Sequence, residues 1–188
     1  MADPFLLNAF RFDVRLLRSP DIVAGRQQMP GQREGYEAPT GTQLVTGALQ
    51  GAFQDCQGLE VEMDVQEYLE GGRNNGVVRR VGRAKYVPLV LKRGMFHGAD
   101  ASARADATLW QWMQRVLDGD RSAAWRYDGI VQVMSADGQV RATWMFERAL
   151  PTKIKGPELN ARTGEIAIEE LTLHHEGLRL LPPPGAAA

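Results

Sequence analysis

The chain has 188 residues, 44% hydrophobic and 24% charged, with a formal net charge of −1, the composition of one ordinary globular domain with room for a core. That balance excludes a globally basic nucleic-acid binder, and no apolar run approaches the roughly 20 residues of a membrane helix. The single cysteine, Cys56, excludes an internal disulfide and fits a reducing cytoplasm, and no basic-then-apolar leader is visible.

Phe5 to Leu17 reads as a first strand, with Phe10, Phe12, Val14 and Leu16 on one face and Arg11, Asp13 and Arg15 on the other. Ser19 to Thr42 breaks the pattern with three prolines and four glycines, a loop long enough to be either a surface excursion or a segment that orders against a neighbour. Leu44 to Gln57 resumes strand character, irregular at Gly47 and Gly51. From Val61, alternation is clean: Val61, Met63 and Val65 share one face of a half-buried strand, and Glu60, Glu62, Asp64 and Gln66 share the other. Gly71 and Gly72 end it, Arg73 to Gly76 read as a polar loop, and the loop is taken to extend from Gly71 to Arg83. Lys85 to Arg93 reads as the next strand, with Val87, Leu89 and Leu91 on one face. Charge divides with the pattern. Glu60, Glu62, Asp64, Glu67 and Glu70 form an acidic block, and Arg73, Arg79, Arg80, Arg83, Lys85, Lys92 and Arg93 a basic one. One segment thus offers two surfaces of opposite sign, suited to copies that associate head to tail.

After a polar connection, Leu109, Trp112, Met113 and Val116 repeat at helical spacing, with Asp106 placed to cap the start and Gly119 the end. Trp110 points off that stripe, toward a sheet edge or a partner. Tyr127 to Met134 and Gln139 to Arg148 form a hairpin around Asp137-Gly138, with Val140, Ala142, Trp144 and Phe146 on one face of the second arm. Pro151 and Pro157 bracket a loop carrying Lys153 and Lys155. A last strand, Glu165 to His174, begins with Ile166 and Ile168 inward and changes phase at Glu169-Glu170, which calls for a bulge. Six or seven strands and one helix make a mainly β protein, an antiparallel two-sheet sandwich or barrel with one flanking α-helix.

Catalytic chemistry finds little support. The histidines are His97, His174 and His175; the last two point to opposite strand faces, and no acid or cysteine stands at zinc-ligand spacing from them. Cys56 among polar neighbours reads as inert, and Gly71-Gly72 and Gly94 precede no Gly-Lys-Ser/Thr that would cradle phosphate. No cofactor or metal is expected.

The ordered set Phe10-Arg11-Phe12-Asp13-Val14, Cys56 to Glu62, Glu67 to Asn74, Lys85-Tyr86, Leu91 to Gly94, Leu109 to Trp112, Pro151-Thr152-Lys153 with Gly156-Pro157, and Ile166 to Leu178 resembles the inner-tube protein family of contractile tails. That family includes myophage tail tubes and their relatives in extracellular contractile injection systems and type VI secretion. The resemblance implies a tail-tube-like domain over residues 1–178, with a long insertion at 18–51 and a Pro/Ala-rich tail at 179–188. It further implies hexameric rings that stack into the inner tube or form its baseplate-proximal first ring. The partners would be other copies and sheath, spike or baseplate proteins, with no membrane and no specific nucleic acid. Assembly would occur in the cytoplasm, before incorporation into a phage tail-like particle. On that reading Glu60, Glu62 and Asp64 face the lumen, and Arg73, Asn74, Arg79, Arg80, Arg83 and Lys85 contact a neighbouring subunit or ring. A monomeric barrel using Arg73 to Arg93 to bind an acidic ligand is the alternative.

Overall fold

Alternating residues build nine strands and one helix in a computed structural model that describes residue 7 and residues 11–19, 53–69, 71–72, 75–97, 105–119, 126–160, 162 and 164–181. Strands β1 (Phe12–Arg18), β2 (Phe53–Gln57), β3 (Val61–Tyr68), β4 (Val78–Tyr86) and β5 (Leu89–Gly94) precede helix α1 (Thr108–Leu117). Strands β6 (Tyr127–Met134), β7 (Val140–Lys155), β8 (Ile168–His174) and β9 (Gly177–Leu181) follow it. The antiparallel ladder runs β1-β6-β7-β8-β5-β2, with β9 joined to β7. β3 and β4 form a separate two-stranded hairpin.

The long strand β7 serves two sheets. Its first part pairs with β6 and β9, and from Leu150 onward it pairs with β8. β8 and β9 follow one another along β7 and are interrupted at His175-Glu176, opposite the point where β7 itself bends. Arg148 marks the bend with φ 55°, a conformation a side chain rarely adopts without support. Support comes from the buried Asp128, whose carboxylate accepts the Arg148 N–H at 2.9 Å, and from Glu176, whose N–H donates to the Glu147 carbonyl at 2.9 Å. The Arg148 guanidinium meets Glu176 at 3.0 Å, and Arg126 pairs with the same carboxylate.

One core fills the space between the sheets and under the helix: Val14 and Leu16, Phe53, Leu89 and Leu91, Leu109 and Trp112, Tyr127 and Val131, Phe146 and Ala149, Leu171 and Leu173. Full burial of such side chains contributes about 1.5–3 kcal/mol each. The helix takes part as its spacing requires, with Leu109, Trp112 and Met113 buried and the Trp112 ring meeting Tyr127 edge-on at 4.5 Å. The N-cap falls on Ala107 rather than on the expected Asp106, which lies one residue further out and accepts the Thr108 N–H at 3.0 Å and its hydroxyl at 2.6 Å; Gly119 leaves with φ +93°.

Several expectations are corrected. Val78 to Arg83 belongs to strand β4 rather than to a loop, and Lys85 to Arg93 is the end of β4 and the start of β5, parted at Val87-Pro88. Cross-strand neighbours, not its own few apolar residues, hold β4 extended. β7 runs through the buried Pro151 to Lys155, where a loop was expected. β8 keeps one phase, and the register slip lies on β7 between Pro151 and Lys153. Ile166 and Ile168 point outward because Glu169 holds the inward position, matched by a buried arginine. β9, unpredicted, extends to Leu181. The first strand spans Phe12–Arg18, and the strand expected from Leu44 is described only as Phe53–Gln57. The 18–51 excursion beyond Ser19 and the last seven residues lie outside the described residues.

Candidate assembly surface

Beyond its root, the β3–β4 hairpin makes at most marginal contact with any other element. Its register places Val61 opposite Tyr86, Met63 opposite Ala84 and Val65 opposite Val81, so these six residues share one face. In the single chain that face is uncovered: Val65 is 60% and Val81 71% exposed, and Val61 and Met63 are each nearly half exposed. The alternation that reads as a half-buried strand is therefore real, but nothing among the described residues covers its apolar side. The opposite face carries Glu62 across from Lys85 and Gln66 across from Arg80. A bulge sets Gly82 and Arg83 against Asp64 alone, where a Cβ on Gly82 would lie 3.0 Å from the Asp64 carbonyl oxygen.

This register distributes the acidic and basic blocks differently from a split into two surfaces. They are partners in one hairpin. Lys85 reaches Asp64 at 2.6 Å, and that hydrogen bond and charge raise the lysine pKa above its usual value. Arg79 meets Glu67 at 3.2 Å on the apolar face, and Arg80 lies 5.3 Å over the Tyr68 ring on the polar one. Both ion pairs are solvent-exposed and stabilise the hairpin only slightly. Lys92 holds Asp55 at 3.1 Å, so much of the basic segment considered for an acidic ligand already has in-chain partners. Of the candidate contact residues, Lys85 and Arg80 share the face of Glu62 and Asp64, and Arg79 stands on the other. Glu60 sits just ahead of β3, and Arg73 and Asn74 lie outside the described residues.

Sequence reasoning missed a buried anchor at the far end of β5, away from the hairpin's root. Arg93, 1% exposed, donates from Nε to Glu169 at 2.6 Å and meets Asp106 at 2.9 Å. Trp110 Nε1 donates to the other Glu169 oxygen at 3.1 Å. This cluster ties α1 to β5 and β8, and the only trace of it in the sequence is the apparent phase break at Glu169. Elsewhere the chemistry is quiet. The Cys56 thiol is pushed up to about 11, by burial and then by Asp55. Among the described residues no group of histidine, cysteine and carboxylate side chains could hold a metal, and no helix is long and apolar enough to cross a membrane.

The described residues thus form a two-sheet barrel bearing a hairpin with one uncovered apolar face, the architecture of a structural subunit with a surface left over for association. Among solved structures, the fold is similar to a chain of the anti-feeding prophage (AFP) baseplate, at 21% identity and TM-score 0.65, covering 96% of this chain and 97% of that one. A chain of the AFP tube-terminating cap gives 18%, 0.65, and 96% and 94% coverage; one from the extended PVC sheath-tube complex gives 17%, 0.64, and 94% and 92%. Residues 8–179 match the T4-like virus tail tube protein gp19, and the chain belongs to that family. By family it is a structural tail-tube protein, a component of a phage tail-like particle and not an enzyme. No curated protein matches it.

Proposed function

We propose that six copies of this chain close side by side into a ring, and that such rings stack into a hollow tube, or found it at the baseplate, inside a contractile sheath. The observation that carries this reading is the uncovered face of Val61, Met63, Val65 and Val81 on a hairpin that projects from its own barrel. Burying each exposed valine against a neighbour contributes on the order of 1 kcal/mol, repeated at every joint of the ring. Pairing between copies also removes the hairpin's open backbone edges, which otherwise invite aggregation. With the apolar face docked on the next subunit, the face bearing Glu62, Asp64, Arg80 and Lys85 turns to the aqueous channel, with Glu60 at its margin. Arg79, on the docking face, meets the neighbouring subunit. Arg83 is assigned to contact with the adjacent ring, as are Arg73 and Asn74 on the family resemblance alone.

Val81→Asp is the test, read by sedimentation velocity and negative-stain microscopy of purified protein. Wild type gives rings; the variant stays monomeric with an unchanged circular dichroism spectrum. Rings of the variant at wild-type yield, or a wild type that stays monomeric at high concentration, would overturn the reading. Long stacked tubes assign the subunit to the repeated tube, and single rings assign it to the first ring at the baseplate.

A further inference from the structure

We infer that His175 fixes the angle at which the β3–β4 hairpin leaves the barrel, and so acts as a positioning residue for ring closure, an inference that rests on the proposed function. The hairpin meets the barrel at two crossings of the chain. On one side is Gly58, with φ +90°, where a Cβ would lie 2.1 Å from the Pro88 carbonyl oxygen. On the other is Val87-Pro88, whose Val87 N–H reaches the Glu60 carbonyl at 3.4 Å. An arm of eight or nine residues extends almost 30 Å at the rise of a strand, so a swing of about 10° at the root moves its tip by about 5 Å. Displacement of that size takes an apolar face off its partner. The root therefore needs a third tie.

His175 supplies one. It comes from the interruption between β8 and β9, where both sheets meet, and is 9% exposed. Its Nε2 lies 3.2 Å from the Val87 carbonyl, to which the Nε2–H tautomer donates. Its ring lies 5.4 Å from Tyr86, the last residue of β4, and 6.0 Å from the fully buried Phe146. The imidazole thus joins the core, the joint and the arm. Burial holds its pKa below the usual value, opposed by the Gly177 and Val87 backbone and reinforced by the like charge of His174.

The titratable and charged groups on the surrounding elements are Tyr86, Glu147, Arg148, His174, Glu176 and Arg179. Glu147 is held by Arg179 at 3.5 Å, and Glu176 by Arg148 and Arg126. A histidine whose folded pKa is depressed stabilises fully above its unfolded value of about 6.5, and that contribution is lost as pH falls below it. Protonation in acid therefore costs stability through the burial of the ring, not through its hydrogen bond, since the charged imidazole can still donate to the Val87 carbonyl; the buried position is favoured at neutral pH and disfavoured in acid.

Two variants test this, with hydrogen exchange on the unassembled chain and ring yield between pH 7.5 and 5 as readouts. His175→Leu removes the donor, and amides at Val61, Tyr86 and Val87 exchange about five- to tenfold faster at pH 7.5, as expected for losing one net hydrogen bond. His175→Gln keeps a donor without titrating, so its ring yield stays level with pH while that of wild type declines in acid. Unchanged root exchange in His175→Leu, or superimposable pH profiles for wild type and His175→Gln, overturns the inference. Should wild type form no rings, the proposed function fails, while the exchange data still decide the role of His175.

Discussion

Replacing Glu169 by alanine removes the partner of a guanidinium that has almost no access to water. Arg93 and Glu169 side chains are 2% and 0% exposed, and their contact is 2.6 Å. Breaking a buried pair from one side costs about 3–5 kcal/mol, because the remaining charge stays desolvated. Two local effects pull in opposite directions. Asp106, 31% exposed, still neutralises part of the arginine charge, whereas Trp110 loses its acceptor on Glu169 at a cost of about 1 kcal/mol. The net expectation is about 4 kcal/mol, a large share of the 5–15 kcal/mol that holds a domain together. Urea denaturation of the unassembled chain at pH 7 measures it. The double variant Arg93→Met with Glu169→Met, which removes both charges and keeps apolar volume, should recover most of the loss. A single variant costing under about 1 kcal/mol, or a double variant as unstable as the single, would refute the view that an uncompensated buried charge is the dominant effect.

Two further substitutions or probes address the core. A Cβ on Gly129 would lie 2.1 Å from Phe146 Cζ, so Gly129→Ala should cost about 1–3 kcal/mol and lower the melting temperature by about 5 °C in calorimetry; an unchanged transition would mean the ring has room to move. With its thiol raised from 9.0 to about 11, Cys56 should react with iodoacetamide at pH 8 roughly a hundredfold more slowly in the folded chain than in urea, and equal rates would contradict the burial assigned to it.

Much of the fold was readable where one face of an element meets the core. Val14 and Leu16, Leu89 and Leu91, and the Leu109-Trp112-Met113 stripe all lie inside, as their spacing requires. Reading failed where a residue's partner stands far along the chain. β4 carries Arg79, Arg80 and Arg83 and looks like a loop until β3 is placed beside it. Glu169 looks like an interruption until Arg93, seventy-six residues away, is brought against it. Pro151 looks like a stop, yet it sits at the point where the register slips and a missing N–H is tolerated. For the assembly surface, the apolar face of β3 was legible from alternation alone. Its partition by charge was not, because the antiparallel register mixes Lys85 and Arg80 with Glu62 and Asp64 on one side. His175 gave no sequence signal beyond lying opposite to His174.

Strand β7 passes without a break from one sheet into the other, and the β8–β9 pair turns the same corner beside it. A tensile load that tries to part the sheets must therefore strip whole ladders at once, since no single linker can give way first.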